Sequence, residues 1–478
     1  VAAKLRSRNH EVAVDASVFD RINSFAARYP ARFAIVVFAA INLVFAVLFA
    51  TPWAAADGQA TPFWDALFTA VSVVCVTGLS VVDMATHWSS FGDALTLVGV
   101  EVGSVGVLTL TSFLGMVVAR RLGLRQRLMA ASETNVSRVR GGVVSESQAI
   151  RLGDIGQLLR LVIISVLTFE FALVLLLLPR ILLEGVPFLE ALYQATYWSF
   201  MSFTNSGFSP TVDGLAPYAT DPWMLSVLML GVFVGSLGFP VYFVLLRNLG
   251  NPRHWSLHVK LTITGATGLF VLGALVYFLL ELGNSESWGT LDPGQQVLQA
   301  LFMSTMTRSG GFALHDLSNL NQSSMLITDM LMFIGGGSAS TAGGIKVTTL
   351  AILFLAAIAE ARGRRDMEAF GKRIPPDILR LAVSVTLWGA TIVAVMTTLL
   401  LHITKEPLSL VLFEVISAFA TCGLSSGVTS QDMPTAAKAL LSLTMLIGRI
   451  GGVTLAAALA SRQRPRLFSR PEERPLVG

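Results

Sequence analysis

The sequence predicts an all-α integral membrane protein in which an outer helix, a pore half-helix and an inner helix recur four times. That gives eight spanning helices around one pseudo-fourfold pore. Three observations lead there. The 478 residues are 53% hydrophobic and only 13% charged, with a mean hydropathy of +0.67, against roughly 25% charged in soluble domains. The apolar runs are long enough to span as helices and lack the ten-residue alternation of a barrel. A short loop also occurs four times: Cys75-Val76-Thr77-Gly78-Leu79, Thr204-Asn205-Ser206-Gly207-Phe208, Arg308-Ser309-Gly310-Gly311-Phe312 and Thr421-Cys422-Gly423-Leu424. Each copy follows an aromatic-rich apolar run too short to span and precedes a long one.

Taken in order, residues 1–32 form a polar arm without the apolar core of a signal peptide. Repeat one covers 33–119, with an outer span at 33–50, an external loop at 51–62, a half-helix at 63–74 and an inner span at 95–119. A linker at 120–156 leads to repeat two, 157–246, with spans near 158–178 and 223–246 and a half-helix at 188–201. After a linker at 247–258, repeat three covers 259–359, with an outer span at 261–282, a half-helix at 296–306 and an inner segment at 325–359 broken in its middle. A linker at 360–376 precedes repeat four, 377–460, built from 378–401, 408–420 and 439–460, and a tail closes the chain at 461–478.

Charge orients these elements. Of the 34 lysines and arginines, 28 fall in 1–32, 120–160, 247–260, 362–380 and 462–478. By the positive-inside rule these segments are cytoplasmic, so both ends lie inside and the four glycine loops open outward. The outer segments carry Asp57, Asp65, Asp83, Glu190, Asp213, Asp292, Asp316 and Glu406. Such carboxylates either concentrate cations at a mouth or are simply solvated.

A glycine at one place in every loop lets the backbone take conformations closed to other residues and turn its carbonyls inward. Inward carbonyls can replace the hydration shell of a potassium ion, as in potassium channels. A surface turn explains any single copy as well, but four copies in one hydrophobic chain argue for a shared role. The candidate ligands are the backbones of Val76, Thr77 and Gly78, of Asn205, Ser206 and Gly207, of Ser309, Gly310 and Gly311, and of Thr421, Cys422 and Gly423.

A second repeat lies in the inner helices, where Gly103, Gly235, Gly335 and Gly448 follow the loop glycines by 25, 28, 24 and 25 residues. Close helix packing explains these glycines. It does not explain Arg449, which stands where the other repeats have Ser104, Ser236 and Gly336. A membrane arginine costs at least about 2.5 kcal/mol on insertion scales, so it should face water or a partner. Arg449 is expected beneath the loops, lining the path. Glu101 is a pore-lining candidate and its counter-charge, with a structural salt bridge as the competing account.

The third inner segment reads Gly335-Gly336-Gly337-Ser338-Ala339-Ser340-Thr341-Ala342-Gly343-Gly344, followed closely by Lys346. Five glycines in ten residues, at about 1 kcal/mol each, do not sustain a helix. Unwound backbone at membrane depth persists only against protein or a wet cavity. The stretch lacks the Gly-Lys-Ser/Thr ending of a phosphate-binding loop. The two cysteines, Cys75 and Cys422, imply no disulfide framework, and His254 with His258 has no third metal ligand nearby.

The four filter-like loops, the glycine-rich stretch running into Gly343-Gly344-Ile345-Lys346-Val347, and the lone Arg449 resemble the Trk/Ktr/HKT superfamily of potassium transporters. The resemblance runs from about residue 33 to 460, and with no helix pair expected ahead of Phe33 it is nearer the KtrB type than the longer TrkH type. It implies a channel-like potassium uptake subunit in the bacterial plasma membrane and a homodimer with one pore per protomer. It further implies a cytosolic ring of nucleotide-binding regulatory subunits of the KtrA/TrkA type, and a gate formed by residues 335–344, Lys346 and Arg449. Potassium is the expected cargo, and sodium coupling stays open. The chain has no Rossmann fingerprint, so no organic cofactor is expected on it, nor any nucleic acid. The basic segment 120–160 either docks the partner or binds anionic lipid heads.

The chain departs from the family in two places: a longer second half-helix, and Glu101 where an uncharged amide is expected. All four loop glycines are kept, whereas a serine in the first loop marks relatives that pass sodium, so potassium is the expected preference. A rocking carrier would show two related halves, an enzyme would show a reactive constellation, and a scaffold would not need four re-entrant segments.

Overall fold

A computed structural model describes residues 30–106, 108, 155–248, 251–364 and 366–461. Most of the expected N-terminal arm, the bulk of the linker at 120–156, the far end of the first inner helix and the tail from 462 lie outside the described residues. The first unit comprises α1 (Pro30–Phe49), α2 (Phe63–Val74) and α3 (residues 90–106); the second comprises α4 (Ile155–Leu182), α5 (Phe188–Thr204), α6 (Pro222–Leu237) and α7 (Phe239–Asn248). The third has α8 (Leu257–Leu280), α9 (Pro293–Met306), α10 (Gln322–Phe333) and α11 (Val347–Ala361). A hairpin of β1 (Met367–Ala369) and β2 (Lys372–Ile374) follows, then α12 (Pro376–Thr404), α13 (Leu408–Ala420) and α14 (Thr435–Ser461).

Among the described residues three helices are long and apolar enough to cross a membrane: Arg160–Leu182, Leu257–Leu280 and Pro376–Thr404. Their outer faces bear large apolar side chains, with Phe171 64%, Leu275 54% and Leu387 66% exposed. Contiguous apolar exteriors of this kind need lipid rather than water. The chain is an all-α, multi-pass membrane protein, and the hairpin is a small addition that the apolar pattern does not announce.

Four short helices, α2, α5, α9 and α13, hold the core. Trp198, Tyr197, Phe203, Phe68, Phe302 and Phe413 on them are all essentially inaccessible. The 12 residues of α2 extend about 18 Å, well short of a bilayer. Each of the four opens on a proline: Pro62, Pro187 and Pro407 as N-caps and Pro293 within the first turn. Proline presets φ for the helix and lacks an N–H that would there go unpaired.

Each short helix packs on the long helix before it, α2 on α1, α5 on α4, α9 on α8 and α13 on α12. Each inner helix also reaches the next unit's short helix: α6 on α9, α10 on α13 and α14 back on α2. The link from α3 to α5 is made by Tyr193 Oη, which donates to Asp93 Oδ2 at 2.9 Å. The last helix thus returns to the first unit.

Two inner segments are interrupted. The third breaks between Phe333 and Val347, where the glycine content predicts it. The second, expected continuous over 223–246, divides at Gly238, whose φ of +95° is open to glycine. At 17 residues α5 is longer than the 12 to 14 of its counterparts, as its sequence suggests.

The small-residue patches serve packing. A Cβ at Gly103, Gly235 or Gly448 would overlap the carbonyl of Val74, Phe203 or Phe419 respectively, in each case four residues before the loop glycine. The absent side chain lets the inner helix close on the end of its short helix. Gly448→Ala should therefore destabilise the protein by about 1–3 kcal/mol, the usual cost of overpacking. Gly268→Ala, with nothing within 4 Å of the added Cβ, should not. Thermal unfolding in detergent measures both, and equal midpoints would contradict the packing role.

Candidate functional site

The four loops at the ends of the short helices meet. A Cβ built on Gly207 would lie 2.5 Å from the Gly311 Cα, one on Gly423 would lie 3.0 Å from the Gly311 Cα and 3.2 Å from the Gly78 Cα, and one on Gly78 would overlap the Ser206 carbonyl oxygen. The glycines thus neighbour one another in the closed order 78, 207, 311, 423. The carbonyl oxygens of the residues just before them, Thr77, Ser206, Gly310 and Cys422, are the atoms such side chains would strike. Four equivalent carbonyls and four bare Cα atoms share one small space.

The loops also share their backbone. Gly78, Gly207, Gly311 and Gly423 have φ of +94°, +77°, +75° and +93°. Two residues earlier Val76, Asn205, Ser309 and Thr421 are left-handed as well, at +55°, +64°, +78° and +46°. For β-branched Val76 and Thr421 this is a strained choice, costing of order 1–3 kcal/mol, and it is held by closing hydrogen bonds. Thr77 N donates to Ser72 O at 2.7 Å, Ser206 N to Met201 O at 3.0 Å and Cys422 N to Ser417 O at 2.9 Å, each five residues back. The third loop closes one residue tighter, Gly310 N donating to Met306 O at 2.8 Å. Cys75 and Cys422 are free and buried.

Directly against this ring lies the unwound segment 335–344. A Cβ on Gly343 would overlap Ala420 O and Thr421 Oγ1, and Gly343 N donates to Ser309 Oγ at 3.2 Å. On its other side the segment is stitched to the break in the second inner helix. Phe239 N donates to Ala339 O at 3.0 Å, Gly337 N to Ser236 O at 2.7 Å and Thr341 Oγ1 to Gly235 O at 3.0 Å. Two cations hold its carbonyls: Arg449 Nη1 donates to Thr341 O, and Lys346 Nζ to Ala342 O at 2.6 Å. Arg449 is 5% exposed and also reaches Thr421 Oγ1 at 3.5 Å. The structure thus brings the sequence-predicted loop and gate residues together.

It separates Glu101 from them. The counter-charge expected for Arg449 instead faces the carboxyl group of Glu170 on α4, and Arg449 donates to the Thr341 carbonyl and the Thr421 hydroxyl. Asp65, expected among the exposed outer carboxylates, is buried in the first turn of α2 and pairs with Lys438 of α14 at 2.6 Å. Arg308, within the third loop, points away from the ring. Its guanidinium donates to Ala266 O and lies over the Phe233 and Phe270 rings at 5.3 and 6.0 Å. Sequence reasoning missed the role of Lys438, although a lone lysine amid Thr435–Ser461 is a signal of the same kind as Arg449. Among the described residues no group of three or more His, Cys, Asp and Glu side chains could hold a metal ion.

Comparison with known proteins gives a consistent result. A family model described as TrkH, cation transport protein, matches residues 16–468. The chain is 32% identical to the Ktr system potassium uptake protein D of Bacillus subtilis over 439 residues, covering 90% of this chain and 93% of that one. It is also 32% identical to the Ktr system potassium uptake protein B of Vibrio alginolyticus over 453 residues, 94% of each. The crystal structure of the potassium transporter TrkH from Vibrio parahaemolyticus shares the fold, with a TM-score of 0.69 at 18% identity over 90% of this chain and 85% of that one.

The buried pair at the seam between last and first units is open to test. Lys438→Met strands the Asp65 carboxylate and should cost about 3–5 kcal/mol, whereas Lys438→Met with Asp65→Leu should recover most of it. Unfolding midpoints in detergent check this, and a double variant as unstable as the single one would rule out a paired charge.

Proposed function

The chain belongs to the TrkH family of cation transport proteins, and on that premise we propose that it is a potassium-selective, ion-translocating subunit for potassium uptake. The observation that carries this reading is the closed circuit of four glycines with the carbonyls of Thr77, Ser206, Gly310 and Cys422 turned into it. Carbonyl oxygens so placed can substitute for the hydration shell of potassium.

In this reading the four units place eight spanning helices around one pseudo-fourfold pore, an arrangement supported by the return of α14 onto α2. The backbones of Val76 to Gly78, Asn205 to Gly207, Ser309 to Gly311 and Thr421 to Gly423 form the filter. The membrane potential drives entry at about 2.3 kcal/mol per charge per 100 mV. An ion leaving the filter inward meets segment 335–344, which Arg449 and Lys346 hold across the path as a gate. The Arg449 guanidinium beneath the filter opposes a passing cation, so conduction requires this segment to be displaced.

The basic linkers support a topology in a bacterial plasma membrane with both termini on the cytoplasmic side. By family likeness the protein works as a homodimer, set among membrane lipids and resting on a cytosolic ring of nucleotide-binding subunits. A sodium-permeable or sodium-coupled transporter of the same fold is the second reading; the glycine in all four loops speaks for potassium.

Purified protein in vesicles should carry rubidium in preference to sodium down an imposed potential. No cation flux would overturn the assignment, and equal fluxes would favour the sodium-permeable reading. Gly78→Ser sets a side chain against the Ser206 carbonyl and should lower the rubidium-to-sodium ratio by roughly tenfold, equivalent to about 1.4 kcal/mol. Arg449→Ala should raise flux severalfold by freeing the Thr341 carbonyl, and an unchanged rate in folded protein would remove Arg449 from the gate.

A further inference from the structure

We propose that Glu414 is a positioning residue for the fourth filter loop and sets its ion preference, an inference that rests on the filter reading above. Glu414 lies in α13 and is completely buried. Its carboxyl group collects donors from the few residues after Gly423. Ser425 Oγ donates to Oε1 at 3.0 Å or Oε2 at 3.2 Å, Ser426 N to Oε2 at 2.9 Å, Ser426 Oγ to Oε2 at 2.9 Å, and Thr429 Oγ1 to Oε1. The Ser426 hydroxyl also lies 2.8 Å from Leu410 O, so its single proton serves one acceptor at a time. The Ser426 N–H has no such choice and makes Oε2 an acceptor in every state. No lysine or arginine pairs with Glu414 among the described residues.

This arrangement belongs to one loop of the four. Nine residues before Gly78, Gly207 and Gly311, at the place Glu414 holds before Gly423, stand Thr69, Trp198 and Phe302, all buried and none of them acidic. The first loop has its own anchor, since Gly78 N donates to Ser72 Oγ at 3.2 Å. The matching Ser417, six residues before Gly423, leaves its hydroxyl without a partner among the described residues. The fourth loop is therefore fixed from its far side, by Glu414.

That anchor acts at short range on the ring. Gly423 sits against both Gly311 and Gly78, and the Thr77 carbonyl faces it. A shift of the fourth loop is thus passed to the first and the third. Where cavity size sets selectivity, discrimination against sodium fails if carbonyls can draw in around a smaller ion. A loop tied through residues 425–429 resists being drawn in. Released, it can follow sodium.

The test uses the full chain in vesicles, with rubidium and sodium tracer uptake measured for wild type, Glu414→Ala, Glu414→Gln and the Ser425→Ala/Thr429→Val double variant. Glu414→Ala should lower the rubidium-to-sodium ratio by roughly tenfold, because the loop loses a buried acceptor that several donors share. The glutamine oxygen can still accept from Ser426 N–H, so Glu414→Gln should keep most of the ratio. The double variant should fall between. A folded Glu414→Ala protein with the wild-type ratio overturns the inference, even if total flux drops. Should that variant not fold, the double variant decides by the same criterion. Hydrogen exchange of amides 421–429, faster in Glu414→Ala if the anchor is real, tests the tether by itself. Wild type lacking a rubidium preference would therefore defeat the filter reading while exchange still judges the anchor.

Discussion

The lipid interior supplies no water to a broken helix, so every unwound carbonyl and N–H at that depth must find protein. This chain breaks two inner helices and satisfies each break with the other. The carbonyls of Gly235 and Ser236, freed at the Gly238 interruption, accept from Thr341 and Gly337, while Phe239 N donates to Ala339. In the proposed gate, displacing segment 335–344 would therefore expose groups on the second inner helix as well. Arg449 and Lys346 add ionic donors to the carbonyls that remain. The arginine in this membrane helix meets a backbone carbonyl of the loop, Thr341 O, in place of a carboxylate.

Glycine meets two separate demands. In the inner helices it is wanted for its missing Cβ, which lets Val74, Phe203 and Phe419 bring their carbonyls against the helix. In the ring it is wanted for both its missing Cβ and its left-handed φ. Where the ring needs that φ two residues earlier, the chain uses Val, Asn, Ser and Thr and accepts the strain. The hydrogen bonds that close each loop onto its short helix, and Glu414 behind the fourth, offset that strain.

The short helices were legible because apolar length and glycine punctuation are local properties. Residues 63–74 and 408–420 are bounded in the fold where the sequence places them, since a short apolar run ending in a glycine loop admits one reading. The patches carried less. The run Gly235-Ser236-Leu237-Gly238 reads as packing, and its first glycine does pack, but the helix break at Gly238 depends on the facing loop, 100 residues away in sequence. The same is true of Glu101, whose neighbour Glu170 comes from another unit, and of Asp65, whose partner Lys438 is 373 residues distant. Nothing in the letters Val76 or Thr421 signals a positive φ, because tertiary contacts impose it. Proline at the start of all four short helices was a local signal available and unused.

The seam between the last and first units carries a buried ion pair, Lys438 with Asp65. Chain connectivity offers a reason. Units one to two, two to three and three to four are joined by covalent linkers, which limit how far neighbouring units drift apart. Units four and one meet with no linker, so their seam must be held by contacts alone. Apolar packing of α14 on α2 supplies attraction but little angular restraint, because dispersion and burial are non-directional. A lysine and a carboxylate with few neighbouring polar groups fix both distance and register, and misalignment would leave each unpaired and costly. The buried pair thus sits where covalent continuity is absent, and a misregister of α14 against α2 would strand a charge.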